Sequence, residues 1–195
     1  MVLKVQASQA GIDTMDQTLE RLKTADQVHL LIVSDSHGHT DGIASLIQQT
    51  GLPDLILHLG DHQEPLEEIT WELDCPVLGV AGNCDHSLAT ADLPDNRLII
   101  LAGRRFFLTH GHRYHVKNDL QNLFRVATQD PWRADFILFG HTHRQLVRQL
   151  FSDGREIYLL NPGSAFPGRE GPQGIWLDLS DGKIRIDPLP DLQRP

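Results

Sequence analysis

The chain is predicted to be strand-rich α/β, with two packed sheets and helices outside them. Two patterns carry that expectation. From Val28 to Val80, strand-like runs alternate with helical stretches in the order β-α-β-α-β, which implies parallel strands joined by helical crossovers. Beyond Arg97 the pattern changes to paired runs flanking tight turns at Ala102-Gly103, Ser152-Asp153-Gly154 and Ser180-Asp181-Gly182, which read as hairpins.

In chain order, residues 1–26 stand apart as an N-terminal extension. Met15, Leu19 and Leu22 follow i, i+4, i+7 spacing, so this stretch is either a short amphipathic helix docking on the domain or a loosely ordered leader. Residues 27–195 read as a single domain. A strand Leu30 to Val33 is followed by a helix over about Asp41 to Gln49, stopped by Gly51-Leu52-Pro53. Strand Leu55 to Leu59, an acidic helix from Pro65 to Leu73 and strand Val77 to Val80 follow. Arg97 to Leu101 pairs with Arg104 to Leu108, and a helix over Lys117 to Thr128 stops before Asp130-Pro131. Strand Phe136 to Phe139 comes next, then hairpins from Arg144 to Phe151 with Glu156 to Leu160, and from Gly174 to Leu179 with Lys183 to Asp187. The Pro-rich tail from Pro188 is expected to be loose.

Composition narrows the function class. The hydrophobic share of 40% supports a core. The net charge of -9 argues against a broad nucleic-acid-binding face. It does not exclude a phosphate substrate, because a bound cation reverses the local field. Cys75 and Cys84 have no paired spacing, so reduced thiols and a cytoplasmic location are expected. No run reaches the roughly 18 apolar residues of a membrane span, and the N-terminus lacks the apolar region of a signal peptide.

Five hydrophobic runs end in side chains that ligate metals. The segments are Asp35-Ser36-His37, Gly60-Asp61-His62, Gly82-Asn83-Cys84-Asp85, His110-Gly111-His112 and Gly140-His141-Thr142-His143. Strands of one sheet bring their ends to a common edge, so these distant residues can converge. Asp, Asn and His suit divalent first-row metals. Asp35 and His37 are two apart after a strand, where extended backbone points both the same way. Asp61 has two carboxylate oxygens and can bridge. Asn83 offers a neutral carbonyl ligand and an amide donor. Each segment alone is a weak signal; the five together point to a metal centre rather than to loop histidines and Asx turns. The set is large enough for two ions, a device for phosphoryl chemistry.

The five segments resemble the signature of the calcineurin-like metallophosphoesterase superfamily: D-x-H, G-D, G-N-[HC]-[DE], H and G-H-x-H. The likeness runs from about Val28 to Asp187 and includes a loop, Asn161-Pro162-Gly163-Ser164, found in small prokaryotic members. It implies two mixed β-sheets packed face to face in a four-layer α-β-β-α sandwich. It implies one ion held by Asp35, His37, Asp61 and His143, and another by Asp61, Asn83, His110 and His141, with Asp61 shared. Manganese is the expected metal, with iron, zinc, nickel or cobalt in other members. One position departs. Where many members have a His proposed as general acid, this chain has Cys84, as does a subgroup of small bacterial and archaeal phosphodiesterases. The catalytic candidates are therefore Asn83, Cys84 and, as replacement acid, the neighbouring His86.

The activity implied is a dinuclear-metal phosphodiesterase. Two ions share a water, lower its pKa from 15.7 toward about 7, and so present hydroxide to phosphorus in line with the leaving oxygen. The alternatives are a phosphomonoesterase of the same fold and a non-catalytic protein-binding scaffold. The expected partner is a small phosphorylated substrate, with no membrane and no long nucleic acid. The resemblance also implies a homo-oligomer, dimer or tetramer.

Overall fold

A computed structural model describes residues 14–86 and 93–190 of the protein. Its elements run α1 (Met15–Lys23), β1 (Gln27–Val33), α2 (Thr40–Thr50), β2 (Leu55–His58), α3 (Leu66–Leu73), β3 (Val77–Gly79), β4 (Asn96–Leu101), β5 (Arg104–Thr109), α4 (Gln121–Thr128), β6 (Phe136–Phe139), β7 (Leu146–Ser152), β8 (Arg155–Asn161), β9 (Gly174–Ser180) and β10 (Lys183–Leu189).

Two mixed five-stranded sheets form, in the orders β10-β9-β1-β2-β3 and β4-β5-β6-β8-β7. The crossover strands β1, β2 and β3 pair in parallel, as do β5, β6 and β8; the hairpin partners pair antiparallel. Alternation along the strands builds three apolar layers. Leu30, Ile32, Leu55 and Leu57 of the first sheet meet Phe106, Leu108, Phe136 and Leu138 of the second. The intervening Leu31, Val33 and Ile56 pack outward on Ile43 and Leu46 of α2 and Ile69 of α3. Phe107, Ile137 and Leu159 pack outward on Leu123 and Ala127 of α4. Strands buried on both faces read as continuous apolar runs, which is why they were conspicuous in the sequence.

The N-terminal helix is real over Met15–Lys23 and carries a cap the periodicity did not reveal. Thr14 Oγ1 accepts from Gln17 N, and Gln17 Oε1 accepts from Thr14 N. Leu22 is fully buried in the central core, and the Leu22 and Lys23 carbonyls accept from Ala102 and Gly103 of the β4–β5 turn. Residues 1–13 lie outside the described residues, as do 191–195.

Two expectations need correction. The helix expected from Lys117 begins only at Gln121, because the residues before it are held in turns: Asn118 N donates to the His115 carbonyl at 2.9 Å and Gln121 N to Asp119 Oδ1 at 2.9 Å. The tail is not loose at Pro188: β10 continues through Pro188 and Leu189, which pair with Ile175 and Gly174. An edge strand tolerates proline because one side needs no donor. Leu189 is buried, and its carbonyl accepts from Gln145 Nε2 at 2.9 Å.

Candidate metal centre

All five segments meet at one edge of the sandwich, at the C-terminal ends of parallel strands. Backbone bonds lace them together. Asp35 N donates to Gly60 O at 3.0 Å, His37 N to Asp61 O at 2.9 Å, and Gly140 N to His110 O at 3.1 Å. Asp35, His37, Asp61, His141 and His143 all hold positive φ, between 49° and 67°. This left-handed conformation costs an L-residue with a Cβ about 1–2 kcal/mol. Asp35 and His37 are thus aimed by a tight turn, not by extended alternation as the sequence suggested.

Two glycines admit the close packing. A Cβ on Gly82 would strike Asp61, and one on Gly140 would strike the Ser34 hydroxyl. Neither has positive φ, so proximity rather than turn conformation demands glycine there. Gly38 and Gly111 do turn the chain, with φ of 80° and 98°.

The structure brings the candidate donors together in overlapping groups. Ligand atoms of Asp35, His37 and His143 lie within 4.8 Å of one another, as do those of Asp35, Asp61 and His110, and those of His37, Asp61 and Cys84. His110 Nε2 is 3.1 Å from Asn83 Oδ1, 3.2 Å from His141 Nδ1 and 3.4 Å from Asp61 Oδ2. Asp61 therefore touches both halves of the cluster.

The tautomer of His110 follows from its other nitrogen. Nδ1 is 2.7 Å from the Leu59 carbonyl, which can only accept, so Nδ1 carries a proton. In the neutral ring Nε2 is then a bare lone pair facing the oxygens of Asn83 and Asp61. Such a set of acceptors is stable only around positive charge, either a second proton or a cation. Burial opposes the proton, but the Asp61 hydrogen bond and the Asp35 charge outweigh it and raise the His110 pKa. Reciprocally, burial raises the Asp61 carboxyl, but the bond and charge of His110 prevail and hold it well below the usual range.

Asp35 shows the same need. Its Oδ2 accepts from Ser34 Oγ at 2.6 Å and His141 N at 3.0 Å. Its Oδ1 is buried and accepts no aligned hydrogen bond, although His143 Nε2 stands 3.0 Å away. An oxygen and a ring nitrogen facing without a well-aimed proton are placed as two ligands of one cation are. The neighbouring Asp35 raises the His143 pKa, against burial. Burial and the His110 charge push His141 down to about 4, leaving it neutral and able to ligate at neutral pH. The donors are thus of the oxygen and nitrogen kind that suits divalent ions.

Further residues brace the centre. Asp85 accepts from Asp61 N, Gly82 N and Gln63 N at 2.7–2.8 Å, tying two of the segments together. Asn161 holds the Gly140 carbonyl at 2.8 Å, and Ser164 Oγ donates to Asp35 O at 2.8 Å, which gives the Asn161–Ser164 loop its work. His62 is fully buried with Nδ1 on the Glu64 carbonyl, so it lies behind the cluster and does not face an incoming phosphate. His112 lies alongside, its ring 5.4 Å from that of His110. Cys84 N donates to Asp61 Oδ1 at 2.7 Å, and burial together with Asp61 pushes the Cys84 thiol up to about 11. His86 is exposed and is not among the groups whose ligand atoms converge.

Residues 28–182 match the calcineurin-like phosphoesterase superfamily domain. The chain belongs to this superfamily. It is 32% identical over 138 residues to the Bacillus subtilis protein named "Probable metallophosphoesterase YsnB", covering 70% of this chain and 75% of that one. It is 30% identical to Phosphodiesterase YfcE of Escherichia coli K12, covering 83% of this chain and 92% of that one. Among solved structures, a predicted phosphoesterase of Streptococcus pneumoniae superposes with a TM-score of 0.65 at 24% identity, over 85% of this chain and 91% of that one. Vacuolar Protein Sorting 29 of Cryptosporidium parvum does so with a TM-score of 0.58 at 19% identity, over 84% and 97%. These structural likenesses show the shared sandwich. Superfamily membership implies divalent metal ions, and the donors gathered at the strand ends fit them. No helix among the described residues is long and apolar enough to cross a membrane.

Proposed function

We propose that the protein is a two-metal phosphodiesterase. The observation that carries this reading is the position of Asp61 between two groups of donors. Asp35, His37 and His143 with Asp61 would hold one divalent ion; Asn83, His110 and His141 with Asp61 would hold the other. Such ions supply Lewis-acid charge and a water acidic enough to attack phosphorus at neutral pH.

The chain's own residues set up that chemistry. The Leu59 carbonyl fixes the His110 tautomer and turns its lone pair inward. Cys84 N and Asp85 fix the Asp61 carboxylate and backbone. Asn83 Nδ2 donates to Cys84 Sγ at 3.3 Å, a weak partner that a phosphoryl oxygen would displace. In the metal-free protein, burial and the Asp61 charge push the Cys84 thiol up to about 11, so there it lines the site as a neutral thiol. His86 is the candidate proton donor to the leaving oxygen, and unchanged turnover across pH in His86→Ala would remove that role.

Manganese is the first metal to test, followed by iron, zinc, nickel and cobalt, since nitrogen and oxygen donors accept several first-row ions. The substrate class is a small phosphate ester. A scaffold of the same fold tolerates gaps in the donor set, and every donor position is filled here. The free thiols of Cys75 and Cys84 fit a reducing cytoplasm. The test is hydrolysis of bis(p-nitrophenyl) phosphate by EDTA-stripped protein, before and after Mn2+ is restored, beside a p-nitrophenyl monoester. Activity restored on the diester supports the reading. Equal activity without metal defeats the metal mechanism, and activity on the monoester alone assigns a monoesterase.

A further inference from the structure

A cavity of about 610 Å3 adjoins the candidate centre on the outer face of the second sheet. That volume is in the range of small-ligand sites. Lys117, Arg144 and Arg148 line it, with Leu120 and Leu146 as apolar walls and Thr142 at its inner end. Thr142, which lines the groove, stands between His141 and His143 in the chain, so the groove is next to the segment that carries both histidines. Arg144 follows His143 directly. Arg148 shares a face of β7 with Leu146, two residues away, which turns it toward α4 and the groove. Lys117 lies near enough that its charge is felt at both His141 and His143.

The groove's lining holds no carboxylate, whereas the cavities that hold Arg97, Arg104, Arg133, Arg155 and Arg185 each include at least one. Arg21, Arg113, Arg133, Arg155 and Arg185 each face a carboxylate within 4.0 Å. Among the described residues no carboxylate comes within that distance of Lys117, Arg144 or Arg148, in a protein of net charge -9. Three exposed cations left together beside a phosphate-handling centre form a local positive field that attracts an anion. Guanidinium forks and an ammonium suit phosphate oxygens.

We propose that this groove binds a second phosphate of the substrate, so that the preferred ester is a small molecule bearing a further phosphate besides the scissile one. The inference rests on the phosphodiesterase reading. The scissile group lies at the Asp35–Asp61 cluster, and the rest of the substrate passes over Thr142 to place its second phosphate between Lys117, Arg144 and Arg148. The apolar walls accept the body that links the two phosphates.

The test compares the p-nitrophenyl ester of thymidine 5′-phosphate with the same ester carrying a 3′-phosphate. The readout is the ratio of their kcat/KM values. Lys117→Met combined with Arg148→Gln lowers the preference for the bisphosphate about tenfold, through KM, as expected for exposed charge pairs acting together. Arg125→Gln, on α4 outside the groove, leaves the ratio unchanged. An unchanged ratio in the double variant overturns the proposal. Calorimetric titration of metal-free protein with thymidine 3′,5′-bisphosphate separates this outcome from failure of the phosphodiesterase reading. If neither ester is hydrolysed but the bisphosphate binds about tenfold more weakly to the double variant, the groove stands and the esterase reading falls. If the bisphosphate binds both proteins alike, the groove falls.

Discussion

The two kinds of tight turn in this molecule use the same backbone conformation for different ends. At the hairpins, Ala102, Asp153 and Asp181 have φ of 47°, 51° and 53°, each followed by a glycine with positive φ. A Cβ added to Gly103, Gly154 or Gly182 would meet nothing within 4 Å. These turns reverse the chain, and no neighbour crowds their glycines, although the Ala102 and Gly103 amides also bond to the Leu22 and Lys23 carbonyls. At the strand-tip edge, Asp35, His37, Asp61, His141 and His143 adopt the same conformation around a polar cluster in which both carboxylates are buried and His143 is exposed. There the left-handed turn aims a side chain, and neighbours such as Ser34, Asp85 and Asn161 hold it in place. Strain that persists because its surroundings over-determine it is a mark of function.

The contrast breaks first at the donors. His110→Ala reduces phosphodiester turnover to background while far-UV circular dichroism stays that of the parent; retained turnover would make the edge no more than a set of turns. Asp85→Asn weakens metal affinity by about 10–100-fold, because the carboxylate fixes the Asp61 turn rather than the ion. Calorimetric titration with Mn2+ measures it.

Matched glycines sharpen the comparison. Gly140→Ala, whose methyl meets Ser34, costs up to about 3 kcal/mol in urea unfolding and also lowers turnover. Gly154→Ala costs about 1 kcal/mol, from its positive φ alone, and leaves turnover unaltered. Equal losses of turnover would erase the distinction between the two edges.

The smallest effect is in pH. In the metal-free protein the His110 pKa lies above its ordinary value, since Asp61 and Asp35 outweigh burial. A raised folded pKa gives stability that is full below the unfolded value near 6.5 and is lost as pH rises through the folded value. Metal needs the unprotonated Nε2, so affinity climbs with pH up to the raised pKa and levels off above it, by at most about tenfold per unit from this group. Mn2+ titrations from pH 6 upward follow the curve, and His110→Ala makes it shallower, leaving the part due to His143, whose pKa is also raised.

The strands that position the donors were legible because burial on both faces made Leu30 to Val33, Leu55 to Leu59 and Phe136 to Phe139 unbroken apolar runs. The candidate donors were conspicuous because Asp, Asn and His recur where those runs stop. The aim of each donor was not, since the left-handed positions themselves are filled by Asp35 and His141 rather than by the neighbouring Gly38 and Gly140. Nor were the partners of the braces: Asp85 acts on Asp61, 24 residues away, and Asn161 on Gly140, 21 residues away. Pro188 misled because an edge position, which makes proline acceptable in β10, is a property of the sheet and not of the local sequence. Lys117, Arg144 and Arg148 carry no pattern in the sequence that joins them; β7 and the approach to α4 set them around one cavity.

The shared-carboxylate claim is tested most directly by counting metal. Elemental analysis of Mn2+-reconstituted protein is predicted to find two ions per chain in the parent, about one in His37→Ala and none retained in Asp61→Ala. An Asp61→Ala protein that is folded and still holds both ions would contradict the account.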